Sequence, residues 1–253
     1  MEKSVFHPEV LEVFGGYLLS ARLALVMVYW GLMVSAALFI LQVSDKFGQG
    51  ILINFLRGKY HQPKEEKRVF MFLDLKSSTT YAEMLGHIRY SRLIQDCFFD
   101  LTEIVLKHEA VIYAYVGDEV ILTWPVDKGI KDNNCVKVFF DYDRTIRKRG
   151  AYYQKQYDMI PEFKAGVNAG RVTVAEVGEL KKELAYHGDV LNTAARIQGL
   201  CNEYGRSLLI SENLISQLNL NGDFTRELLG AIPLKGKQKP VNIFSIEKNN
   251  RTQ

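Results

Sequence analysis

Residues 113–124 read YAYVGDEVILTW. Two apolar, strand-like runs flank a Gly117–Asp118 turn, and glycine at such a tip takes a positive φ without steric cost. The pattern predicts a β-hairpin over 110–124 whose tip carries two adjacent carboxylates, Asp118 and Glu119. Taken alone, Gly-Asp is simply a good hairpin turn. What the negative charge is for depends on what else reaches that end of the sheet.

Working outward, Arg68–Leu73 is a short apolar run that ends in Asp74, a buried strand with a carboxylate at its C-terminal end. Ser77, Ser78, Thr79 and Thr80 follow as candidate helix N-caps. They lead into a helical pattern whose apolar face is Ile94, Cys97, Phe98, Leu101, Ile104 and Val105. After the hairpin, a helix is predicted over about 134–157. FKAGVNAGRVTVAEVG (163–178) reads as two strands around a glycine turn, and ELAYHG (183–188) as another strand. DVLNTAARIQGLCNEYG (189–205) reads as a helix ending in glycine. Strands near 207–210, 224–230 and 241–247 and a short helix over 211–218 complete the pattern. Strands mixed with helices in this order, hairpins included, predict an α+β fold with a mainly antiparallel sheet.

The chain has 253 residues, 47% hydrophobic and 24% charged, a globular balance. A net charge of +3, with Lys and Arg spread out, gives nucleic acid no footing as a partner. Cys97, Cys135 and Cys201 form no CxxC pair and no metal-ligand spacing, which points to reduced thiols. Cys97 sits on an apolar helical face and reads as core.

Leu23–Val43 (LALVMVYWGLMVSAALFILQV) contains no charge. As a helix it would be about 31 Å long, the thickness of a bilayer core. A buried core helix is the alternative; a signal peptide fits less well, because no small-residue cleavage site follows. Lys46, Arg57, Lys59, Lys64, Lys67 and Arg68 follow the span, so a single pass through the inner or plasma membrane would leave the larger part cytoplasmic. Residues 44–67 read as an amphipathic connector with Phe47, Ile51, Leu52, Phe55 and Leu56 on one face. The expected organisation is 1–43 with the membrane helix, 44–67 connector, 68–248 soluble domain and 249–253 tail.

Three charge groupings stand out. If the Asp74 strand neighbours the hairpin, Asp74 and Asp118 share one end of the sheet and repel each other unless a cation lies between them. Mg²⁺ is suited to such a place, since it takes oxygen ligands from one or two carboxylates plus substrate phosphates. The helix start at 76–79 beside Asp74 is a candidate phosphate site. Asn192 and Arg196 lie four apart and share a helix face, as a surface pair or as groups for ribose and phosphoryl oxygens. Lys235, Lys237 and Lys239 alternate in LKGKQKP (234–240), as an edge-strand lysine row or as a phosphate-binding loop.

With these residues in view, the chain resembles the class III nucleotidyl cyclases, which make cyclic AMP or cyclic GMP. FLDLKSST (72–79), YVGDEV (115–120), FKAGVNAGRVTVAEVG (163–178), HGDVLNTAARI (187–197) and LKGKQKPV (234–241) carry the resemblance in the family order and spacing. It implies a ferredoxin-like palm. It also implies that Asp74, Asp118 and the Leu75 carbonyl hold two divalent ions, Mg²⁺ or Mn²⁺. Lys76, Ser77, Ser78 and Thr79 would cradle phosphate, Asn192 would orient the ribose, and Arg196 and Lys237 would stabilise phosphate charge. The substrate would be a nucleoside triphosphate, ATP or GTP, whose 3′-oxygen attacks the α-phosphate as pyrophosphate leaves. The family further implies a head-to-tail homodimer, with the aspartates of one subunit facing the Asn and Arg of the other.

The chain departs from the family at the two base-reading positions, here Ala114 and Ala185, and Ala175 stands where glycine is frequent. On regular strands Ala114 faces the site while Tyr113, Tyr115 and Tyr186 point away. A cyclase-like regulatory module that binds nucleotide or a partner is therefore the competing reading. A diguanylate cyclase is disfavoured, because no GG[DE]EF run is present.

Overall fold

The computed structural model describes residues 8, 16, 21–47, 59–180, 182–220, 222–234 and 239–249. The chain separates into two units between residues 57 and 58. In the first, helix α1 (Ala21–Phe47) is uncharged and mainly apolar between Arg22 and Asp45, with a mean hydropathy of 2.3 over the most apolar 18 residues within Ala21–Gln42. Its apolar side chains, Leu25, Met27, Trp30 and Phe39 among them, are exposed, whereas a buried core helix would hide them. By length and composition α1 is long enough to cross a membrane. Residues 48–58 of the expected connector lie outside the described residues.

The second unit is a mixed α+β domain. Its strands are β1 (Lys64–Leu75), β2 (Val111–Val116), β3 (Glu119–Pro125), β4 (Phe163–Val177), β5 (Glu183–His187), β6 (Leu208–Ser211), β7 (Phe224–Ile232) and β8 (Val241–Lys248). Its helices are α2 (Ser78–Lys107), α3 (Val126–Ile130), α4 (Asn134–Lys148), α5 (Gly150–Tyr157), α6 (Asp189–Gly199) and α7 (Glu212–Ile215). The sheet order is β2-β3-β1-β4-β6-β8-β7, with β5 paired to β4. Every pairing is antiparallel except β4 with β6. The first four strands, with β1 between β3 and β4, have the order of a ferredoxin-like split βαβ unit.

Alternation along β1 places its residues on two faces. Val69, Met71, Leu73 and Leu75 join the larger core with Leu93, Cys97 and Leu101 of α2 and Tyr142 and Ile146 of α4. Phe70 and Phe72 join a smaller core under α6, with Ile121, Val172, Val174, Val190 and Ala194. The larger core is tied by polar contacts. The Tyr153 hydroxyl donates to Asp100 Oδ2 at 2.7 Å, and the Trp124 indole N–H donates to the His108 carbonyl at 2.9 Å. All three cysteines are buried, and burial pushes each thiol up to about 12, which leaves them unreactive.

Several elements differ from their sequence-based outlines. Residues 163–177 form one strand of 15 residues, not two around a turn. Gly170 pairs with Arg68 in mid-ladder, and its missing side chain makes room for Val190 on α6. The helix expected over 134–157 breaks at Arg149, and the one over 189–205 ends at Gly199. Strand β1 starts four residues early, because its charged half Lys64–Lys67 pairs with the far half of β4. Ser77 precedes α2 but makes no side-chain cap; it takes a left-handed conformation, φ 56° and ψ 29°.

Candidate functional site

The acidic turn and the end of β1 do meet. Asp74 pairs across the ladder with Glu119 on one side and Lys164 on the other. Between β2 and β3 the tip is Gly117–Asp118, where Gly117 takes φ 65°. Alternation puts Asp74 and Glu119 on the α6 face of the sheet, with Phe72 and Ile121.

Three carboxylates in one half-buried place perturb each other. Burial, and then the Asp118 charge, raise the Asp74 pKa. Burial, then Asp74 and Asp118, push Glu119 up to about 7. Lys164 offsets part of this, with its Nζ 3.3 Å from Asp74 Oδ2. Gln198 of α6 donates from Nε2 to the same oxygen at 2.7 Å. Both donors are buried. Among the described residues, one ammonium, that of Lys164, lies against Asp74 in this group of three carboxylates, which leaves a surplus of negative charge on hard oxygen donors. That donor set suits Mg²⁺ or Mn²⁺. Among the described residues no group of three or more His, Cys, Asp or Glu side chains is gathered as a ready-made metal site. A cation here would need water or substrate oxygens to complete its shell.

A pH dependence follows from Glu119. Its folded pKa of about 7 lies above the ordinary 4.5, so the folded chain binds this proton more tightly than the unfolded chain. The contribution to stability is therefore full below about pH 4.5 and lost as pH rises through about 7. Allowing for solvent screening of a half-exposed group, the loss is about 1–2 kcal/mol. Melting curves in EDTA between pH 5 and 8 should fall less steeply for Glu119→Gln than for the parent chain. Equal slopes would remove Glu119 as the cause.

The stretch expected to cradle phosphate is partly engaged already. The Lys76 amide donates to the Glu162 carbonyl at 2.8 Å, and its Nζ reaches Ser207 Oγ at 2.8 Å and Glu162 Oε2 at 3.3 Å. Leu75 is buried at the end of β1 opposite Phe163. Ser78 and Thr79 open α2, with Thr79 exposed.

On α6, Asn192 is exposed. Arg196 Nη1 lies 3.9 Å from Asp189 Oδ1 and is buried without a hydrogen-bond partner. No described hydrogen bond or ion pair joins Asn192 or Arg196 to Asp74 or Asp118; Gln198, on another face of the same helix, makes the contact instead. Lys237 lies outside the described residues.

At the base-reading positions two expectations are corrected: Tyr113 and Tyr186 do not point away but lie in the cluster that holds Ala114. The β2–β3 register shifts between Ile112 and Ala114, and this bulge lets Tyr113 and Ala114 lie on the same face. Tyr113 and Tyr186 pack edge-to-face, centroids 5.0 Å apart, beside Phe70. Tyr115 does point away, against Phe98 of α2 at 4.7 Å. Ala185 pairs with Ala175, between Leu184 and Tyr186, and is not a member of the cluster that holds Ala114.

Sequence reasoning missed Lys164 and Gln198. Lys164 stands in a quoted motif, yet only the β1–β4 register reveals that it faces Asp74. Gln198 lies 124 residues from its partner, and no local pattern marks it.

Comparison with known proteins matches residues 60–248 to the model of the adenylate and guanylate cyclase catalytic domain. Adenylate cyclase 2 of Rhizobium meliloti (strain 1021) is 34% identical over 209 residues, covering 83% of this chain and 58% of that protein. Adenylate cyclase 1 of the same organism is 27% identical over 183 residues, covering 70% and 27%. The chain thus spans less than two thirds of the length of these relatives. A bacterial light-regulated adenylyl cyclase structure superposes with a TM-score of 0.72 at 15% identity, over 91% of this chain and 67% of that one. The adenylyl cyclase CyaB from P. aeruginosa superposes with a TM-score of 0.63 at 20% identity, over 76% and 99%. These two likenesses concern the fold. The match over 60–248, on a sheet that brings Asp74 to the acidic hairpin, shows that the chain belongs to the adenylate and guanylate cyclase catalytic domain family.

Proposed function

We propose that the protein is a membrane-anchored nucleotidyl cyclase that converts a nucleoside triphosphate to its 3′,5′-cyclic nucleotide and pyrophosphate. The observation that carries this reading is the meeting of Asp74, Asp118 and Glu119 beside a single buried lysine. Asp74, Asp118 and the Leu75 carbonyl would hold Mg²⁺ or Mn²⁺, two per site. Bound there, the cations would lower the pKa of the ribose 3′-hydroxyl and offset triphosphate charge. Ser77, Ser78 and Thr79 are left to receive phosphate, since Lys76 is engaged with Glu162 and Ser207. Asn192 orients the ribose; Arg196 and Lys237 stabilise charge on the transferred phosphoryl group.

A head-to-tail homodimer joins the two half-sites in this reading. Asn192, which is exposed, and Arg196, whose Nη1 has no hydrogen-bond partner and lies 3.9 Å from Asp189 Oδ1, support it, since no described contact joins either residue to Asp74 or Asp118. Mixing Asp118→Ala chains with Arg196→Ala chains tests it. Each mixed dimer holds one intact and one doubly broken site, so an equal mixture should regain about a quarter of the parent activity. Inactivity of the mixture, with mixed dimers present, would mean that each site is built from one chain.

Helix α1 serves as the anchor in this reading, and the Lys and Arg residues after it support a cytoplasmic side for the catalytic domain. The working organisation is 1–43 for the anchor segment, 44–67 for the connector, 68–248 for catalysis and 249–253 for the tail. ATP is the favoured substrate, because the most similar relatives named above are adenylate cyclases. Ala114 and Ala185 offer the base no side-chain hydrogen bond, and this favours a second reading, a regulatory module that binds nucleotide without turnover. Offering ATP and GTP separately to the full chain with Mg²⁺ or Mn²⁺ separates the two. Product from either nucleotide supports the cyclase; binding without product supports the module.

A further inference from the structure

Both described polar contacts of the Asp74 side chain fall on one oxygen. Gln198 Nε2 donates to Oδ2 at 2.7 Å, and Lys164 Nζ lies 3.3 Å from it. Gln198 is 8% exposed and sits in the last turn of α6. Its place is set by backbone contact: a Cβ on Gly166 of β4 would stand 2.6 Å from Gln198 Cα and 2.5 Å from the Ala194 carbonyl oxygen. The amide donor is therefore carried on a helix seated directly against the strand beside β1.

We propose that Gln198 is a positioning residue for the divalent cation: by holding Asp74 Oδ2 it leaves Oδ1 as the ligand. This rests on the reading of Asp74 as a metal ligand. An amide suits the task better than a second ammonium. It orients the carboxylate without adding charge that would compete with the cation. Lys164 alone is a point charge on a flexible stem and does not set the carboxylate's rotation. The same helix bears Asn192 and Arg196 on another face, so one rigid element positions ribose and phosphate groups and also steadies a metal ligand of its own chain.

The test uses full-chain protein and Mn²⁺ alone as the probe, with free Mn²⁺ read by its electron paramagnetic resonance signal. Gln198→Met keeps length and removes the donor. It should weaken Mn²⁺ binding by about 10-fold, within the range for residues that orient metal ligands. The Mn²⁺ concentration for half-maximal activity should rise by a similar factor, while the nucleotide KM at saturating Mn²⁺ stays put. A purely structural role would not produce that split. Asp74→Asn runs alongside. If Asp74→Asn weakens binding while Gln198→Met stays within about twofold of the parent chain, the role of Gln198 falls and the metal reading stands. If neither change affects binding, both fall. Should Gln198→Met fail to fold, Gln198→Asn, which withdraws the amide by one methylene, carries the same comparison.

Discussion

Asp118→Ala should abolish cyclic nucleotide production by the full chain, by about a thousandfold or more, and leave the chain folded. Asp118 is at a hairpin tip, so no core is lost with its side chain. The turn itself depends on Gly117, which the substitution keeps. What goes is one of three carboxylates whose mutual repulsion is unfavourable without a cation. The charge of Asp118 raises the pKa of both Asp74 and Glu119. In EDTA the melting temperature of Asp118→Ala should therefore equal or exceed that of the parent chain. Loss of activity with unchanged or higher stability marks a functional residue. A variant that kept a tenth of the activity or more would show that Asp118 does not hold the cation, and the function proposed for the acidic tip would fail with it.

The second large effect is structural. Gly166→Ala should destabilise the domain by about 3 kcal/mol or more, enough to unfold a marginal chain. The added methyl group meets backbone on α6, at Ala194 and Gln198, and backbone on a packed helix does not step aside. Gly170→Ala is the internal comparison. Its methyl group would meet the end of the Val190 side chain at 2.7 Å, which a rotamer change relieves. That variant should lose only about 1 kcal/mol. Urea titration of both variants ranks them, and a Gly170 variant less stable than the Gly166 variant would contradict the packing described here. Because α6 also carries Asn192, Arg196 and Gln198, any Gly166→Ala protein that does fold should show impaired catalysis as well.

Local chemistry was legible along the chain because it repeats at short range. The 113–124 stretch displays its hairpin through a glycine tip between apolar runs, and β3 and the turn lie where that pattern places them. The apolar periodicity of 94–105 belongs to α2 as observed, with Ile94, Cys97, Leu101 and Val105 buried. The α+β class and the mainly antiparallel sheet follow from the same order of elements. The N-terminal apolar run forms one continuous helix.

What misled the reading was glycine. FKAGVNAG looks like a turn because glycine serves turns, but Gly166 and Gly170 serve close packing of a helix instead. A missing side chain has the same spelling in both uses, and only the neighbouring element tells them apart. The β2 bulge is a similar case: period-2 reasoning assigns Tyr113 to one face, and a single extra residue moves it to the other.

The sequence by itself determined the class of fold, most of its elements and which residues bring charge: Asp74 at a strand end, Asp118 and Glu119 at a tip, Asn192 and Arg196 on one helix. Only the tertiary structure decided what faces what. It set Lys164 and Gln198 on one oxygen of Asp74, engaged Lys76 elsewhere, and seated α6 on β4. The physical reason is range. Propensity and periodicity act over a few neighbouring residues, whereas the Asp74–Gln198 bond closes a separation of 124 residues that strand register and helix packing alone bring together.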